Sequence, residues 1–388
     1  MAGVKFFTGS IVVAVALCFG AVPASPAEAP VPGDIPVALL VDLSTGQTLY
    51  ARQAERRFVP ASVTKVMTVY TAFKLVDEGK LGLNRQFLYT QELEQQWYAE
   101  GSNMFLRAGE RPTIGQLLLG ITTVSGNDAS VAMAVAATGS LDAWLALMNA
   151  NARELGMRDT HFGSPNGYPD GGQTYTSARD LVLLGRAITQ DYPGLYRRYF
   201  GHRGMTWRDI AQNNHDPVTG RVPGADGLKT GFTNEAGYTF LGSAQRDGRR
   251  LMMVLAAAPN ARMRDNAARE LLEWGFAEFE PQIVFEQGRV IGTAQVQDGA
   301  ERDVALQLPE AFKAALPEGA QSAQDALSLR IAYRGPIAAP IYAGDAIARL
   351  QLLEGERVVL ETPLVAAQSV EKANPIERIA NAFTRWFG

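Results

Sequence analysis

The sequence is poor in the residue types that metal and thiol chemistry require. Its 388 residues include three histidines and one cysteine, Cys18. A zinc site takes three or four ligands, mostly histidine and cysteine, so this composition excludes the usual zinc sites. Cys18 lies in an apolar stretch near the N-terminus that we interpret below as a cleaved segment. We therefore expect no disulfide, no cysteine nucleophile, no metal and no other cofactor.

An excess of positive charge is also missing. The chain carries 36 lysines and arginines against 40 aspartates and glutamates, a formal net charge of −4. Proteins that bind nucleic acid usually present a basic surface to the phosphates, so this balance argues against a nucleic-acid partner. The remaining composition, 47% hydrophobic and 20% charged, is that of an ordinary globular protein long enough for two domains.

A long apolar run stands at the N-terminus, from about Phe6 to Val22, after Lys5. Small residues and prolines follow it as far as Pro32. A positive start, an apolar centre and a small-residue end are typical of a secretory signal peptide, which we assign to residues 1–29. A retained membrane anchor is the alternative. We expect the protein to work outside the cytoplasm.

The stretch Pro60–Lys65 carries the first sign of chemistry. Apolar residues nearly all round the segment from Ala61 to Gly79 predict a buried helix with Ser62 at its N-terminus. Ser62 and Lys65 are three positions apart and therefore share a helix face. A serine hydroxyl is a poor nucleophile until a neighbour takes its proton, and a lysine whose pKa is lowered by burial or nearby cations can do so. The pair is a candidate acylation site.

Two further polar motifs follow in chain order. Ser125-x-Asn127 stands in a loop between two predicted buried helices, and Lys229-Thr230-Gly231 stands at a predicted strand. Each motif alone is weak, and we interpret a second Ser-x-Asn copy, Ser164-Pro165-Asn166, as a plain turn. The three motifs in this order and in these contexts are far less expected by chance, so we predict that they line one cleft.

The pattern around these motifs predicts a mixed α and β domain. We expect a hairpin over Ile35–Tyr50 and two strands over Tyr238–Ala244 and Arg250–Ala258. We expect residues 91–107 to form a loop and a short strand, and residues 208–219 to form a loop. The further predicted helices are one that starts over Thr113–Leu119 and ends at Gly120 to Thr123, Ala129–Ala137, Leu141–Leu155, a segment from Thr176 or Ser177 to Ile188, and Arg264–Phe276.

The last hundred residues have a different texture. Short alternating stretches separated by turns predict a small all-β domain over residues 282–368. In the tail, residues 369–388, Asn374 and Pro375 suit a helix start, and the apolar residues Ile376, Ile379, Phe383, Trp386 and Phe387 share one face. We interpret this tail as an amphipathic helix lying in a membrane surface. A helix packed on the protein itself is the alternative.

The chain resembles the low-molecular-mass penicillin-binding proteins that are serine-type D-alanyl-D-alanine carboxypeptidases. The stretches that carry the resemblance are Pro60–Thr68, Ser125–Ala129, Asp226–Thr233, Leu271–Phe276, Pro363–Ala366 and Trp386–Gly388. The resemblance covers essentially the whole mature chain. It implies an α/β (α+β) penicillin-binding, transpeptidase-like domain over residues 30–281, with a central antiparallel sheet and a helical subdomain. The small all-β domain and the amphipathic helix follow, and the helix would hold the protein on the periplasmic face of the inner, cytoplasmic membrane.

The resemblance also implies a role for each motif. Ser62 would attack the carbonyl between two D-alanines of a peptidoglycan stem pentapeptide, Lys65 would take its proton, and Ser125 would relay a proton to the leaving D-alanine. The backbone N–H groups of Ser62 and Phe232 would form the oxyanion hole. β-Lactam antibiotics would acylate the same serine. The implied substrate-binding residues are Asn127, Lys229, Thr230, Gly231, Phe232, Thr233 and Arg264.

Two positions depart from the family pattern. The family often has histidine before the Ser-Ala-Arg-Asp stretch and after Lys-Thr-Gly, where this chain has Tyr175-Thr176 and Phe232. Because the implied oxyanion donor is a backbone group, we expect Phe232 to change the shape of the pocket and its side-chain preference, not to abolish chemistry. We also expect Lys65 to be neutral, since burial and Lys229 disfavour its charged form.

Three other functions stay open at this point. A class A β-lactamase has the same motifs plus a glutamate that activates water, but no Glu-x-x-x-Asn-like loop lies between Ser125 and Lys229, and Glu154 falls inside a predicted helix. An endopeptidase that cuts cross-links would use the same site. An idle cell-wall scaffold would not need the intact motifs.

Overall fold

The structure is a computed structural model that describes residues 27–317 and 327–374. Residues 1–26 of the predicted signal peptide and residues 375–388 of the predicted amphipathic helix lie outside the described residues. The described chain divides into two compact units. One consists of Glu28–Ser44 and Thr48–Ala277, and the other contains Thr45–Gln47 and the described residues from Glu278 onward.

The first unit is built on a five-stranded sheet with the strand order β2-β1-β7-β6-β5. The pairs β1–β7, β6–β7 and β5–β6 are antiparallel, as the resemblance implied for the central sheet. Strands β3 and β4 form a separate two-stranded hairpin. The strands are β1 (Val37–Asp42), β2 (Gln47–Arg52), β3 (Gly204–Trp207), β4 (Ile210–Asn213), β5 (Ala225–Thr233), β6 (Gly237–Arg246) and β7 (Arg249–Ala258).

Eight helices among the described residues accompany this sheet. One of them, the predicted central helix, is buried on every side over Lys65–Phe73, which confirms the all-round apolar pattern. The helices are α1 (Lys65–Asp77), α2 (Gln91–Trp97), α3 (Ile114–Val124), α4 (Asn127–Thr138), α5 (Leu141–Glu154), α6 (Ala178–Gln190), α7 (Pro193–Tyr199) and α8 (Ala261–Glu278).

Two local predictions were wrong, and one was a residue short. α3 ends at Val124, one residue past the predicted end at Gly120–Thr123, and a Cβ on Gly120 would lie 2.6 Å from Met104 Sδ, so this glycine serves close packing inside the helix. The region predicted as loop and short strand contains α2, because the Thr90 side chain caps its start by accepting from the Leu93 N–H. The predicted loop at residues 208–219 begins inside the β3–β4 hairpin.

No single described helix is both long and apolar enough to cross a membrane. Among the described helices, α4 and α5 are long and apolar enough only when they are taken together, and their axes are bent by 92° relative to each other. α4 is largely buried inside the protein.

The second unit confirms the predicted all-β domain. A six-stranded sheet has the order β12-β14-β15-β10-β9-β13, and β8 pairs with β11. Buried leucines and valines on these strands form a core of their own. The strands are β8 (Phe279–Phe285), β9 (Val290–Gln297), β10 (Asp303–Gln307), β11 (Phe312–Pro317), β12 (Leu327–Ala332), β13 (Ile337–Ala338), β14 (Ala346–Glu354) and β15 (Arg357–Ala366).

The first residues assigned to the amphipathic helix are not helical. Val370 forms a β-bridge with Ile341, and Lys372 forms one with Gly299. Val370 is buried, so its side chain belongs to the core of the β-unit instead of a membrane-facing surface. The segment left for the predicted helix is therefore residues 375–388.

Candidate active site

Ser62 lies in a 3-10 turn, Ala61–Thr64, that leads directly into α1. In a 3-10 turn the side chains at positions i and i+3 are nearly eclipsed, so Ser62 stands directly over Lys65. The distance from Ser62 Oγ to Lys65 Nζ is 2.8 Å. The predicted pair is thus formed, with a tighter turn than the α-helical start that we expected.

Lys65 is completely buried and its amine has three oxygen partners. Besides Ser62 Oγ, these are Asn127 Oδ1 at 2.8 Å and the backbone O of Asn166 at 2.7 Å. The Asn127 amide orientation is supported by its Nδ2, which donates to the backbone O of Glu100 at 2.8 Å. Both amide oxygens can only accept. A neutral amine, with two N–H groups and one lone pair, therefore satisfies all three partners if it accepts from the Ser62 hydroxyl.

The electrostatics of the site favour that neutral form. Burial lowers the pKa of Lys65 well below its ordinary value, the positive charge of Lys229 lowers it further, and Asp128 opposes both. The direction agrees with the sequence-based expectation. Burial and Arg264 also lower the pKa of Lys229, to about 7, while Asp216 opposes the shift.

One wall of the site is the junction between α3 and α4. Ser125 is the C-cap of α3 and has left-handed backbone, with φ of 61°. The Asp128 carboxylate accepts the N–H groups of Met104, Leu106 and Ala129 at 2.8–3.0 Å. These bonds join the loop before α3 to the first turn of α4, and so fix the backbone that carries Ser125 and Asn127.

The opposite wall is β5, an edge strand of the sheet. A Cβ on Gly231 would lie 2.5 Å from the backbone O of Pro60 and 3.2 Å from the backbone N of Ser62. The strand backbone therefore packs directly on the nucleophile turn, and only glycine allows this approach. Lys229, next to it, is buried and donates to the backbone O of Thr230 at 2.9 Å.

These elements enclose a cavity of about 630 Å³. Lys65 and Lys229 are buried and do not appear among its lining residues, whereas all the other predicted site residues line it. These lining residues are Ser62, Ser125, Asn127, Thr230, Gly231, Phe232, Thr233 and Arg264.

Arg264 and Phe232 form part of an aromatic and cationic side of the cavity. Arg264 is buried, bonds Asp265 and the backbone O of Thr239, and lies 6.0 Å from the ring centre of Tyr238. Phe232 is 49% exposed and stacks on the Tyr238 ring at 4.2 Å. The residue that departs from the family pattern thus presents an open aromatic face to the cavity.

Sequence reasoning missed the role of the Ser164–Gly167 turn. Its Asn166 supplies the third partner of Lys65, although we interpreted this stretch as a plain turn. Gly167 makes the approach possible: its φ is +72°, and a Cβ there would lie 1.8 Å from the backbone O of Ala61. The glycine in the turn was the only available signal, and the contact spans 101 residues of chain.

Other lining residues were also not predicted. They include His215, whose pKa is lowered by burial and by the charges of Lys229 and Arg264, and Tyr168. Among the described residues, no three His, Cys, Asp or Glu side chains cluster in a way that could hold a metal ion.

The fold and the cavity define a serine-type hydrolase: an antiparallel sheet flanked by helices, with a serine hydroxyl beside a buried lysine amine. The chain belongs to the D-alanyl-D-alanine carboxypeptidase family, which it matches over residues 28–260. Residues 279–372 match the C-terminal domain of penicillin-binding protein 5. The chain is accordingly a penicillin-binding protein and a serine-type D-Ala-D-Ala carboxypeptidase.

Relatives along nearly the whole chain support this. It is 31% identical over 352 residues to the D-alanyl-D-alanine carboxypeptidase DacD of Salmonella typhimurium, covering 89% of this chain and 88% of the relative. The structure of penicillin binding protein 5 from Haemophilus influenzae is similar with a TM-score of 0.72 and 28% identity, covering 91% of this chain and all of that one.

A shorter relative matches part of the chain. Penicillin-binding protein D2 of Listeria monocytogenes, in its ampicillin-bound form, has a TM-score of 0.56 and 27% identity, and covers 63% of this chain and 97% of its own. The β-lactamase, endopeptidase and idle-scaffold alternatives are not favoured, because the relatives are named carboxypeptidases.

Proposed function

We propose that Ser62 is the nucleophile and Lys65 the base that remove the terminal D-alanine from peptidoglycan stem pentapeptides. The observation that carries the proposal is the 2.8 Å contact between Ser62 Oγ and a buried lysine whose two other partners can only accept hydrogen bonds. The lone pair of the neutral amine is then directed at the serine proton.

The reaction follows from this arrangement in two stages. Ser62 Oγ bonds to the carbonyl carbon as its proton passes to Lys65, and the oxyanion forms next to the backbone N–H groups of Ser62 and Phe232. The carbon–nitrogen bond then breaks, and Ser125 passes a proton to the leaving D-alanine amine. Water hydrolyses the acyl-enzyme, releases the shortened peptide and restores the serine.

Substrate orientation rests on the remaining lining residues. Thr230, Thr233 and Arg264 would bind the terminal carboxylate, and Lys229 would contribute positive charge. Asn127 would bind a peptide amide. The Listeria monocytogenes relative has ampicillin-bound and cefotaxime-bound structures, which supports the proposal that β-lactams bind this site, where they would acylate Ser62.

Labelling with a fluorescent penicillin tests the nucleophile. Ser62→Ala is expected to lose both penicillin labelling and D-alanine release from a stem pentapeptide, while its circular dichroism and thermal unfolding match the wild type. Ser44→Ala, which changes a serine outside the cavity, serves as the control. Equal labelling of the Ser62→Ala variant would contradict the proposal.

We also propose that the protein is exported and stays on the periplasmic face of the cytoplasmic membrane through residues 375–388. The signal-peptide pattern of residues 1–29 and the apolar face of the tail, flanked by Arg378 and Arg385, support this. A chain ending at residue 374 is expected to move from the membrane fraction to the soluble periplasmic fraction. If both forms stay with the membrane equally, the tail is not the anchor.

A further inference from the structure

The cavity is bordered by two groups of residues with opposite charge. Lys229 and Arg264 form the positive group, and their charges, with burial, lower the pKa of the His215 imidazole. A second group lies beside Asn127 and includes the lining residues Gly101 and Tyr168. The negative charge of this second group comes from the carboxylate of Glu100. A substrate with an anionic end and a cationic side chain would complement both groups.

The Glu100 carboxylate is exposed and fixed in place. The Tyr168 hydroxyl donates to its Oε2 at 3.1 Å. The Tyr168 ring in turn packs edge-on against Trp97, with ring centres 5.5 Å apart. Within residues 27–317 and 327–374, no lysine, arginine or histidine forms an ion pair with Glu100. The carboxylate is therefore held next to the cavity without a cation from the described protein.

Two hydrogen bonds connect Glu100 to the catalytic lysine. Lys65 donates to Asn127 Oδ1, and Asn127 Nδ2 donates to the backbone O of Glu100. The same amide that contacts the proposed base thus fixes the backbone of Glu100. A peptide that binds at Asn127 with its reactive carbonyl at Ser62 would therefore contact an amide that is bonded to the backbone of Glu100.

We propose that Glu100 and Tyr168 form a subsite for an ammonium group on the side chain of the stem-peptide residue that precedes the two D-alanines. The substrate class is then a stem pentapeptide whose third residue is a diamino acid with a free amine. The carboxylate pairs with the ammonium, and the 40% exposed Tyr168 ring contributes a cation–π face. This subsite rests on the proposed function, since it extends the same cavity.

The test compares two stem pentapeptides, one with lysine as the third residue and one with that lysine acetylated. The readout is the ratio of their kcat/KM values for D-alanine release. Wild type is expected to prefer the free amine by about two- to fivefold at low salt, in line with an exposed charge pair. The preference is expected to shrink at high salt, because exposed ion pairs are screened.

Variants separate the subsite from general effects on the site. Glu100→Gln is expected to bring the ratio to about one, Glu100→Lys to favour the acetylated peptide, and Tyr168→Phe to give an intermediate ratio. Glu92→Gln changes an exposed glutamate of α2 outside the cavity lining and is expected to retain the wild-type ratio. An unchanged ratio in Glu100→Gln, or no preference in wild type, overturns the subsite. Failure of the proposed function would differ, because neither peptide would then release D-alanine through Ser62.

Discussion

After burial, the largest influence on the pKa of Lys65 is the positive charge of Lys229. Replacing Lys229 by glutamine removes that charge and raises the pKa of Lys65, so less of the neutral base exists at a given pH. Because the pKa of Lys229 is itself about 7, its charge acts mainly below neutral pH. We expect penicillin acylation of Lys229→Gln to be about tenfold slower at about pH 6, with the rising part of its pH profile moved to higher pH. Stopped-flow labelling between pH 6 and about 10.5 measures both.

Lys80→Gln is the matched control, because Lys80 is an exposed lysine that pairs with Glu78 away from the cavity. Its pH profile should coincide with that of wild type. If the rising part of the pH profile of Lys229→Gln also coincides with that of wild type, Lys229 does not control the charge of Lys65.

The buried charge of Lys229 also affects the stability of the folded protein. Its pKa is about 7 when folded, below the ordinary value of 10.5, so the unfolded chain binds more protons between these limits. Stability therefore rises with pH across this window, by up to about 1.4 kcal/mol per pH unit for one proton. Urea unfolding at pH 7 and pH 9 should show a larger gain for wild type than for Lys229→Met. Equal gains would show that Lys229 does not titrate on unfolding.

The Ser62–Lys65 contact was predictable because it depends on a spacing of three residues within one turn. The contact of Lys65 with Asn166 was not, since it depends on how a distant turn packs on α1. The same holds for His215, which reaches the cavity from the loop after β4. Residue types indicate side-chain chemistry, but every residue has a backbone carbonyl, so a sequence does not show which carbonyl accepts a given hydrogen bond.

At the scale of elements, the approach of β5 to the nucleophile turn depends on Gly231. Alanine there places a methyl group 2.5 Å from a backbone oxygen of the turn, and one of the two must move. We expect Gly231→Ala to reduce kcat/KM about a hundredfold, the typical effect of a displacement near 1 Å in a catalytic arrangement. Gly194→Ala, where nothing lies within 4 Å, is the control. Wild-type kinetics in Gly231→Ala would show that the turn adapts without loss.

Asp128 joins two elements, since its carboxylate accepts backbone N–H groups from the loop before α3 and from α4. Burial raises its pKa although these bonds oppose the shift. In Asp128→Asn, one of these three backbone N–H groups must face the side-chain NH₂ group, which cannot accept a hydrogen bond. We therefore expect a loss of about 1–3 kcal/mol in the free energy of unfolding. Urea denaturation measures it, with Asp142→Asn on the exposed start of α5 as control. A loss no larger than the control would contradict this role.

Element types were more predictable than element limits. The buried α1 and the strands β6 and β7 follow directly from their apolar patterns. The last residue of α3 and the existence of α2 do not follow from such patterns, because they depend on the packing of Gly120 and on the cap at Thr90. Both depend on neighbours that periodicity does not reveal.

At the scale of the whole molecule, each unit has its own hydrophobic core. A compact unit with its own core can fold alone, and the match to the D-alanyl-D-alanine carboxypeptidase family, residues 28–260, lies within the first unit apart from residues 45–47. We expect a chain of residues 28–277 to be labelled by penicillin at a rate within about threefold of the full protein. Labelling kinetics and circular dichroism check this. A fragment that folds but labels far more slowly would show that the β-unit contributes to acylation.

The left-handed backbone of Ser125 restricts which residues can replace this serine during evolution. Threonine also carries a hydroxyl and differs from serine by one base in several codons, yet a β-branched residue is strongly disfavoured at a φ of 61°. The nearest chemical substitute is therefore a costly mutational step at this position. Drift towards threonine is blocked by the geometry of one backbone angle, before any question of catalysis arises.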